Sequence, residues 1–143
     1  MVHFPCTINL LRKSKTVKSL ESLFKKQQRF LLAFLFGSFV SQRMHPLSDM
    51  DIAVLFATVP DRSAINDLTE ELSSLLRKEV DLVILNHAPP ILKMQILRKG
   101  ILIYARDRRD FHRFYGDTVN QYDDLKQIRR ICEDNILKGR IYA

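Results

Sequence analysis

Hydrophobic residues along the chain follow two patterns, short uninterrupted runs and recurrences every three or four residues. The short runs are typical of strands, and the first of them, FLLAFLF, suits a strand buried on both faces of a sheet. The predicted strands are 30–36, 50–56, 80–85 and 101–104. The recurring positions predict amphipathic helices at 17–28, 63–78 and about 90–99, with a short helix at 39–45 that Pro46 would end. Alternating strands and helices indicate an α/β (α+β) fold.

A much longer helical pattern runs from about 107 to 137 without a proline. It predicts one long helix, or two with a break at Gly116. A helix of this length would span roughly 45 Å, more than so small a domain covers by itself. We therefore expect part of its apolar stripe to meet another chain, in an oligomer or hetero-oligomer. Aromatic and basic residues are interleaved here, but their helical spacing favours packing over direct binding of nucleic acid.

Length and composition fit one globular domain. The 143 residues are 46% apolar and 27% charged, which predicts a single domain over 1–143, with a core at about 18–105 and a helical segment at about 107–137. The longest apolar stretch, 30–40, is too short to span a membrane, and no signal peptide is evident. Two distant cysteines fit reduced thiols, so we expect a cytoplasmic protein without a membrane partner. The net charge of +7 favours polyphosphates, nucleic acid or an acidic protein as binding partners, and it does not distinguish among them.

Two aspartates, Asp49 and Asp51, flank the beginning of the second predicted strand. Residues two apart on a strand point to the same face about 7 Å apart, so the two carboxylates converge on one point. Carboxylates fixed at the mouth of a sheet suit Mg²⁺, which prefers oxygen ligands and shares its remaining positions with water and phosphates. Asp81, at the beginning of the next strand, is the candidate for a third carboxylate, as a base or as a ligand of a second metal ion.

A Gly-Ser pair follows the first strand. Gly37 allows a tight turn, and Ser38 offers its hydroxyl and backbone N–H where a helix would begin, which favours a bound anion. An ordinary turn beside a solvated strand end is the simpler interpretation of each feature alone. Taken together, they predict a site for a nucleoside triphosphate whose metal ion is held between the aspartates and the phosphates.

The spacing of these residues resembles a known signature. Gly37-Ser38, ten intervening residues, Asp49-Met50-Asp51 and a single Asp on the next strand resemble the DNA polymerase β-like nucleotidyltransferases. The small size, the VDLVIL strand and the ILRKGILIYARD segment look specifically like the minimal nucleotidyltransferases, the MNT antitoxins, over roughly 18 to 135. This resemblance implies a nucleotidyltransferase fold, with a small mixed sheet of about four strands, helices packed on one face and a long C-terminal helix.

The resemblance also implies a reaction and a partner. An MNT-type enzyme would transfer AMP, or another nucleoside monophosphate, from ATP or another triphosphate to a hydroxyl, with two Mg²⁺ ions. The acceptor would be a tyrosine of a cognate HEPN RNase toxin, so that adenylylation silences the toxin of a toxin–antitoxin system. Carried over to this chain, Asp49 and Asp51 bind Mg²⁺ and Asp81 completes the site as ligand or base. Gly37 and Ser38 hold the triphosphate.

One stretch departs from the family pattern. Many members continue Gly-Ser with residues such as Arg-Ala-Arg-Gly, whereas this chain has Phe39-Val40-Ser41-Gln42 and lacks two phosphate-facing charges, for which Arg43 is the nearest substitute. Two alternatives therefore stay open. The protein could be a catalytically weak or inactive antitoxin that acts by binding alone, or an antibiotic-type transferase for a small molecule. The lack of an added acceptor-binding domain in so short a chain counts against the transferase for a small molecule.

Overall fold

A computed structural model describes residues 15–37 and 50–137 of the chain. Its elements are α1 (Lys15–Lys25), β1 (Phe30–Phe36), β2 (Met50–Phe56), α2 (Arg62–Leu76), β3 (Val80–Ile84), α3 (Pro90–Lys99), β4 (Ile101–Ala105) and α4 (Arg108–Leu137). A single 3-10 turn, Leu85–His87, joins β3 to α3. The predicted strands and helices in these ranges are confirmed, with ends that differ by a few residues. The short helix predicted for 39–45 lies outside the described residues.

The four strands form one mixed sheet in the order β3-β2-β1-β4. Strand β1 is antiparallel to both β2 and β4, whereas β2 and β3 are parallel and joined through α2. These directions bring the end of β1 and the beginnings of β2 and β3 to the same end of the sheet, which we call the Gly37 end. The mixed sheet implied by the family resemblance is confirmed.

Both faces of the central strands are covered. Residues 52–54 of β2 are all 0% exposed, and consecutive strand residues point to opposite faces, so neither face is open to water. Helix α1 contacts α2 and β4, while α3 contacts α4. Phe24 of α1 meets Phe30 edge to face at 4.9 Å, and Phe114 of α4 lies 6.1 Å from Phe34. Helices therefore pack on both sides of the central strands, where the resemblance placed them on one.

Local signals explain where the helices begin and end. The Asp61 carboxylate accepts a hydrogen bond from the Ala64 N–H at 2.8 Å and so caps α2, which ends at Arg77 in the left-handed conformation, with φ 53°. Helix α3 begins with Pro90, because the fixed φ of proline suits the first helical position. These ends let the chain turn back after α2, so that β3 pairs in register with β2.

Helix α4 continues through Gly116 without a break. Of the two predicted possibilities, one long helix is therefore confirmed. Its first half packs on the sheet through Phe111, Phe114 and the fully buried Thr118. Its second half leaves Ile128 and Ile131 58% and 60% exposed. An interface with another chain along this half stays a prediction. None of the helices within 15–37 and 50–137 has the length and apolar character that a membrane span requires.

Asn86, in the turn after β3, joins that turn to the end of β2. Its Oδ1 accepts a hydrogen bond from the Phe56 N–H, and its Nδ2 donates to the Phe56 carbonyl, both at 2.9 Å. We expect Asn86→Ala to lower the free energy of unfolding by about 1–2 kcal/mol, because both backbone groups lose their partner. Urea denaturation measures the change. Asn66→Ala, at an exposed position of α2, is the control and should stay within about 0.5 kcal/mol of wild type.

Candidate functional site

The Gly37 end of the sheet brings together three of the predicted site residues, Gly37, Asp51 and Asp81. Phe36, the last residue of β1, pairs with Asp51, and Asp51 in turn pairs with Asp81 across the parallel strands β2 and β3. Paired positions on neighbouring strands point to the same face, and the strands are about 4.8 Å apart. The carboxylates of Asp51 and Asp81 therefore lie side by side, next to Gly37 at the end of β1.

The alternation of apolar and acidic residues at the beginnings of β2 and β3 gives the carboxylates their direction. Met50 is 3% exposed, and its N–H donates to the Glu79 carbonyl at 2.9 Å, which fixes the beginning of β2 beside the beginning of β3. Because Met50 faces the core, Asp51 points the other way and is partly exposed. Asp81 follows a buried valine in the same manner and is exposed. Both carboxylates thus reach the surface at one place.

Gly37 is required by the backbone and by the neighbouring carboxylate. Its φ of +80° lies in the left-handed region that favours glycine. A Cβ at this position would lie 3.0 Å from Asp51 Cγ and 3.4 Å from Asp51 Cβ, and it would overlap the carboxylate oxygen Oδ2. The Gly-Ser pair predicts a tight turn and a phosphate site, but it does not show which side chain packs against the glycine, so the contact with Asp51 was not predicted.

The remaining predicted site residues, Ser38 and Asp49, lie outside the described residues, as do Arg43 and the stretch 39–42. Within 15–37 and 50–137, no group of three or more His, Cys, Asp or Glu side chains could hold a metal ion. The structure thus brings two carboxylates of the predicted triad together and leaves the triad itself a prediction.

The donor set at the Gly37 end fits Mg²⁺. Asp51 and Asp81 present carboxylate oxygens from directly paired strand positions, and hard oxygen donors of this kind are what Mg²⁺ prefers. The turn at Gly37 has no side chain that would fill the space next to Asp51. A glycine at the end of β1 and paired carboxylates on a mixed sheet agree with the nucleotidyltransferase site that the sequence predicts.

Comparisons with known proteins agree with this class. The model of the family "Polymerase beta, Nucleotidyltransferase" matches residues 18–109, and the chain belongs to this family. Protein adenylyltransferase MntA of Shewanella oneidensis is 33% identical over 127 residues, which cover 89% of this chain and 88% of MntA. The resemblance to nucleotidyltransferases of the MNT type is thereby confirmed.

Solved structures extend the similarity to three dimensions. A toxin–antitoxin crystal structure with AMP-PNP has a chain that matches with a TM-score of 0.71 and 30% identity, over 85% of this chain and 98% of that one. A rebuilt structure of the tri-AMPylated Shewanella oneidensis HEPN toxin in complex with MNT antitoxin matches with a TM-score of 0.67 and 28% identity, over 85% and 96% of the two chains. The nucleotidyltransferase fold is therefore confirmed over most of the chain.

Proposed function

We propose that this protein is a protein adenylyltransferase antitoxin that transfers AMP from ATP to a hydroxyl of a HEPN-domain toxin. The observation that carries the proposal is the Asp51–Asp81 pair beside Gly37, in a chain that matches MntA over 89% of its length. The similar antitoxin structures, one with AMP-PNP and one with a tri-AMPylated toxin, support ATP as the donor and the toxin as the acceptor. The acceptor group that we assign is a tyrosine hydroxyl.

We assign Asp51 and Asp81, together with Asp49, as the ligands of Mg²⁺, with two ions in the complete site. When bound, Mg²⁺ neutralises the phosphate charges and stabilises the charge that develops during transfer. Gly37 and Ser38 are assigned to the triphosphate, because backbone N–H groups in such a turn can donate to phosphate oxygens. The partly buried Asp51 suits a holding role, and the exposed Asp81 can be reached by an acceptor.

The reaction that these residues would serve is an in-line displacement. The acceptor oxygen forms a bond to the α-phosphorus, and the bond from that phosphorus to the bridging oxygen breaks, so that pyrophosphate leaves. Asp81 accepts the proton of the acceptor hydroxyl, either directly or through one water molecule. Asp51, fixed against Gly37, keeps its position during this exchange.

Intact mass of the cognate toxin tests the proposal directly. After incubation with this protein, Mg²⁺ and ATP, we expect the toxin mass to rise in AMP-sized steps, and we expect no rise with an Asp49→Asn, Asp51→Asn double variant. Asp67→Asn, an exposed carboxylate of α2, is the matched control and should leave the steps unchanged. Mass steps of equal size with the double variant would contradict the assigned site.

Binding without catalysis is the second candidate function, and the sequence at 39–42 favours it. Under this alternative the toxin stays tightly bound and inhibited, its mass does not change with any of the four nucleotides, and the double variant still protects cells that express the toxin. Under the adenylylation proposal the same variant fails to protect them. If the protein is a transferase for a small molecule, neither adenylylation nor inhibition of the toxin is expected.

Two further assignments accompany the proposed function. We place the protein in the cytoplasm, where ATP is available as the donor. We also assign 1–143 to a single nucleotidyltransferase domain, since the buried apolar residues of α1, the sheet and the first half of α4 belong to one cluster.

A further inference from the structure

A small cavity lies between α3, α4 and the sheet, away from the Gly37 end. Its volume is about 250 Å³. Leu31, near the beginning of β1, and Leu55, near the end of β2, form part of its wall, with Lys93 and Thr118 from the two helices. Leu55 is four residues along β2 from Asp51, roughly 13 Å at the usual rise of a strand. The cavity is therefore separate from the carboxylate pair.

Two buried polar side chains in this cavity have hydrogen-bonding capacity that is not fully used. Lys93 is 8% exposed, and its ammonium, which has three donors, has one hydrogen-bond acceptor in the described part of the chain, Gln121 Oε1 at 2.5 Å. Thr118 is 0% exposed, and its hydroxyl has no hydrogen-bond partner among the described residues. Buried polar groups normally find partners, because an unpaired one costs free energy. Both groups can therefore donate a hydrogen bond to an acceptor inside the cavity.

The charges around the cavity favour an anionic acceptor. Arg113 at the mouth adds a second positive charge. Asp110 is already engaged by Arg106, whose Nε lies 3.3 Å from Asp110 Oδ2, and Asp117 is exposed at the rim. Burial lowers the pKa of Lys93, and the charge of Asp117 opposes this shift. An anion beside Lys93 would favour the charged ammonium in the same direction as Asp117.

We propose that this cavity binds a small oxyanion, a carboxylate or phosphate group that accepts hydrogen bonds from Lys93 Nζ and Thr118 Oγ1. Its volume of about 250 Å³ lies below the roughly 300–1,000 Å³ of sites for drug-sized ligands, which favours a small ligand over a nucleoside triphosphate. Leu31, Leu55 and Phe114 make part of the wall apolar, so a short hydrocarbon body can accompany the anionic group. The proposal concerns residues outside the assigned catalytic site, and it stands or falls independently of the adenylyl transfer.

Titration of the full-length protein followed by NMR tests the proposal. The probes are inorganic phosphate and butyrate, each compared with sodium chloride at equal ionic strength because the chain is basic. We expect one probe to shift the Thr118 amide and the Lys93 side-chain signals saturably, and the probe that does so identifies the anionic group. Lys93→Met, which removes the charge at similar size, should weaken this binding at least tenfold. Equal, unsaturable shifts in wild type and variant would overturn the proposal.

Thr118→Val gives a second test, which compares melting temperatures without and with the probe. Without a probe, we expect this variant to melt at a higher temperature than wild type, because it removes a buried hydroxyl without a partner and keeps the shape. With the binding probe, its gain in melting temperature should be smaller than that of wild type. Thr69→Val is the matched control, since the Thr69 hydroxyl donates to the Ile65 carbonyl at 2.9 Å. The control should melt lower and keep the full gain, and a full gain in Thr118→Val would exclude the hydroxyl as a ligand.

Discussion

Asp51→Asn is expected to lower the rate of AMP transfer on the order of 10³-fold, the size of effect seen when one group that stabilises developing charge is removed. Asp51 is the middle residue of the site, since it pairs with Phe36 of β1 on one side and with Asp81 of β3 on the other. Asparagine keeps the size of the side chain but loses the negative charge that would hold Mg²⁺. The change therefore removes the charge while the position in the sheet is kept.

Single-turnover measurements of AMP transfer to the toxin give this rate, and circular dichroism checks that the variant is folded. Asp81→Asn should also lower the rate, because asparagine cannot accept the proton of the acceptor hydroxyl. Asp67→Asn, on the exposed side of α2, controls for a general loss of negative charge. A rate for Asp51→Asn within threefold of wild type would exclude Asp51 as a metal ligand.

Much of the fold could be predicted from the sequence because the strands are nearly uniform in character. The run Phe30–Phe36 is wholly apolar and ends at a glycine, so its bounds in the structure coincide with those predicted. The bounds of Met50–Phe56, which is apolar except for Asp51, also coincide with those predicted. Strand order could not be predicted from local pattern, since the pairing of β1 with β4 joins segments far apart in the chain. The mixed sheet was predicted from the family resemblance, and only the structure shows that helices cover both of its faces.

The candidate site could be predicted in part for a similar reason. The sequence places Asp81 at the beginning of a strand, and its proximity to Asp51 depends on whether the two strands pair, which the parallel register confirms. Lys93 gave no signal, because it lies on an amphipathic helix where a polar residue is normally solvated. Thr118 has the helical spacing of the apolar stripe of the long helix, but that spacing does not show that its hydroxyl lacks a partner. Their burial results from the way α4 crosses α3 and the sheet. A contact of this kind is set by tertiary packing and has no counterpart in the spacing of residues.

Gly37→Ala is expected to lower the free energy of unfolding by about 1–3 kcal/mol, the usual cost of a strained backbone conformation. The φ of +80° is unfavourable for alanine, and the new Cβ would overlap the Asp51 carboxylate. Relief of that overlap moves Asp51, so we also expect AMP transfer to fall about 100-fold, as it does when a reacting geometry is misplaced by about 1 Å. Thermal or urea denaturation and the single-turnover assay measure the two effects.

Gly116→Ala is the matched control for this substitution. Gly116 lies inside α4, and a Cβ there would meet nothing within 4 Å, so alanine should raise the free energy of unfolding by roughly 0.5–1 kcal/mol and leave transfer unchanged. A double-mutant cycle with Asp51→Ala then isolates the contact between Gly37 and the carboxylate. Because Asp51→Ala removes the overlapping oxygens, Gly37→Ala should cost less stability in that background than in wild type. An equal cost in both backgrounds would mean that backbone strain alone requires glycine at position 37, and that Asp51 is held by other neighbours.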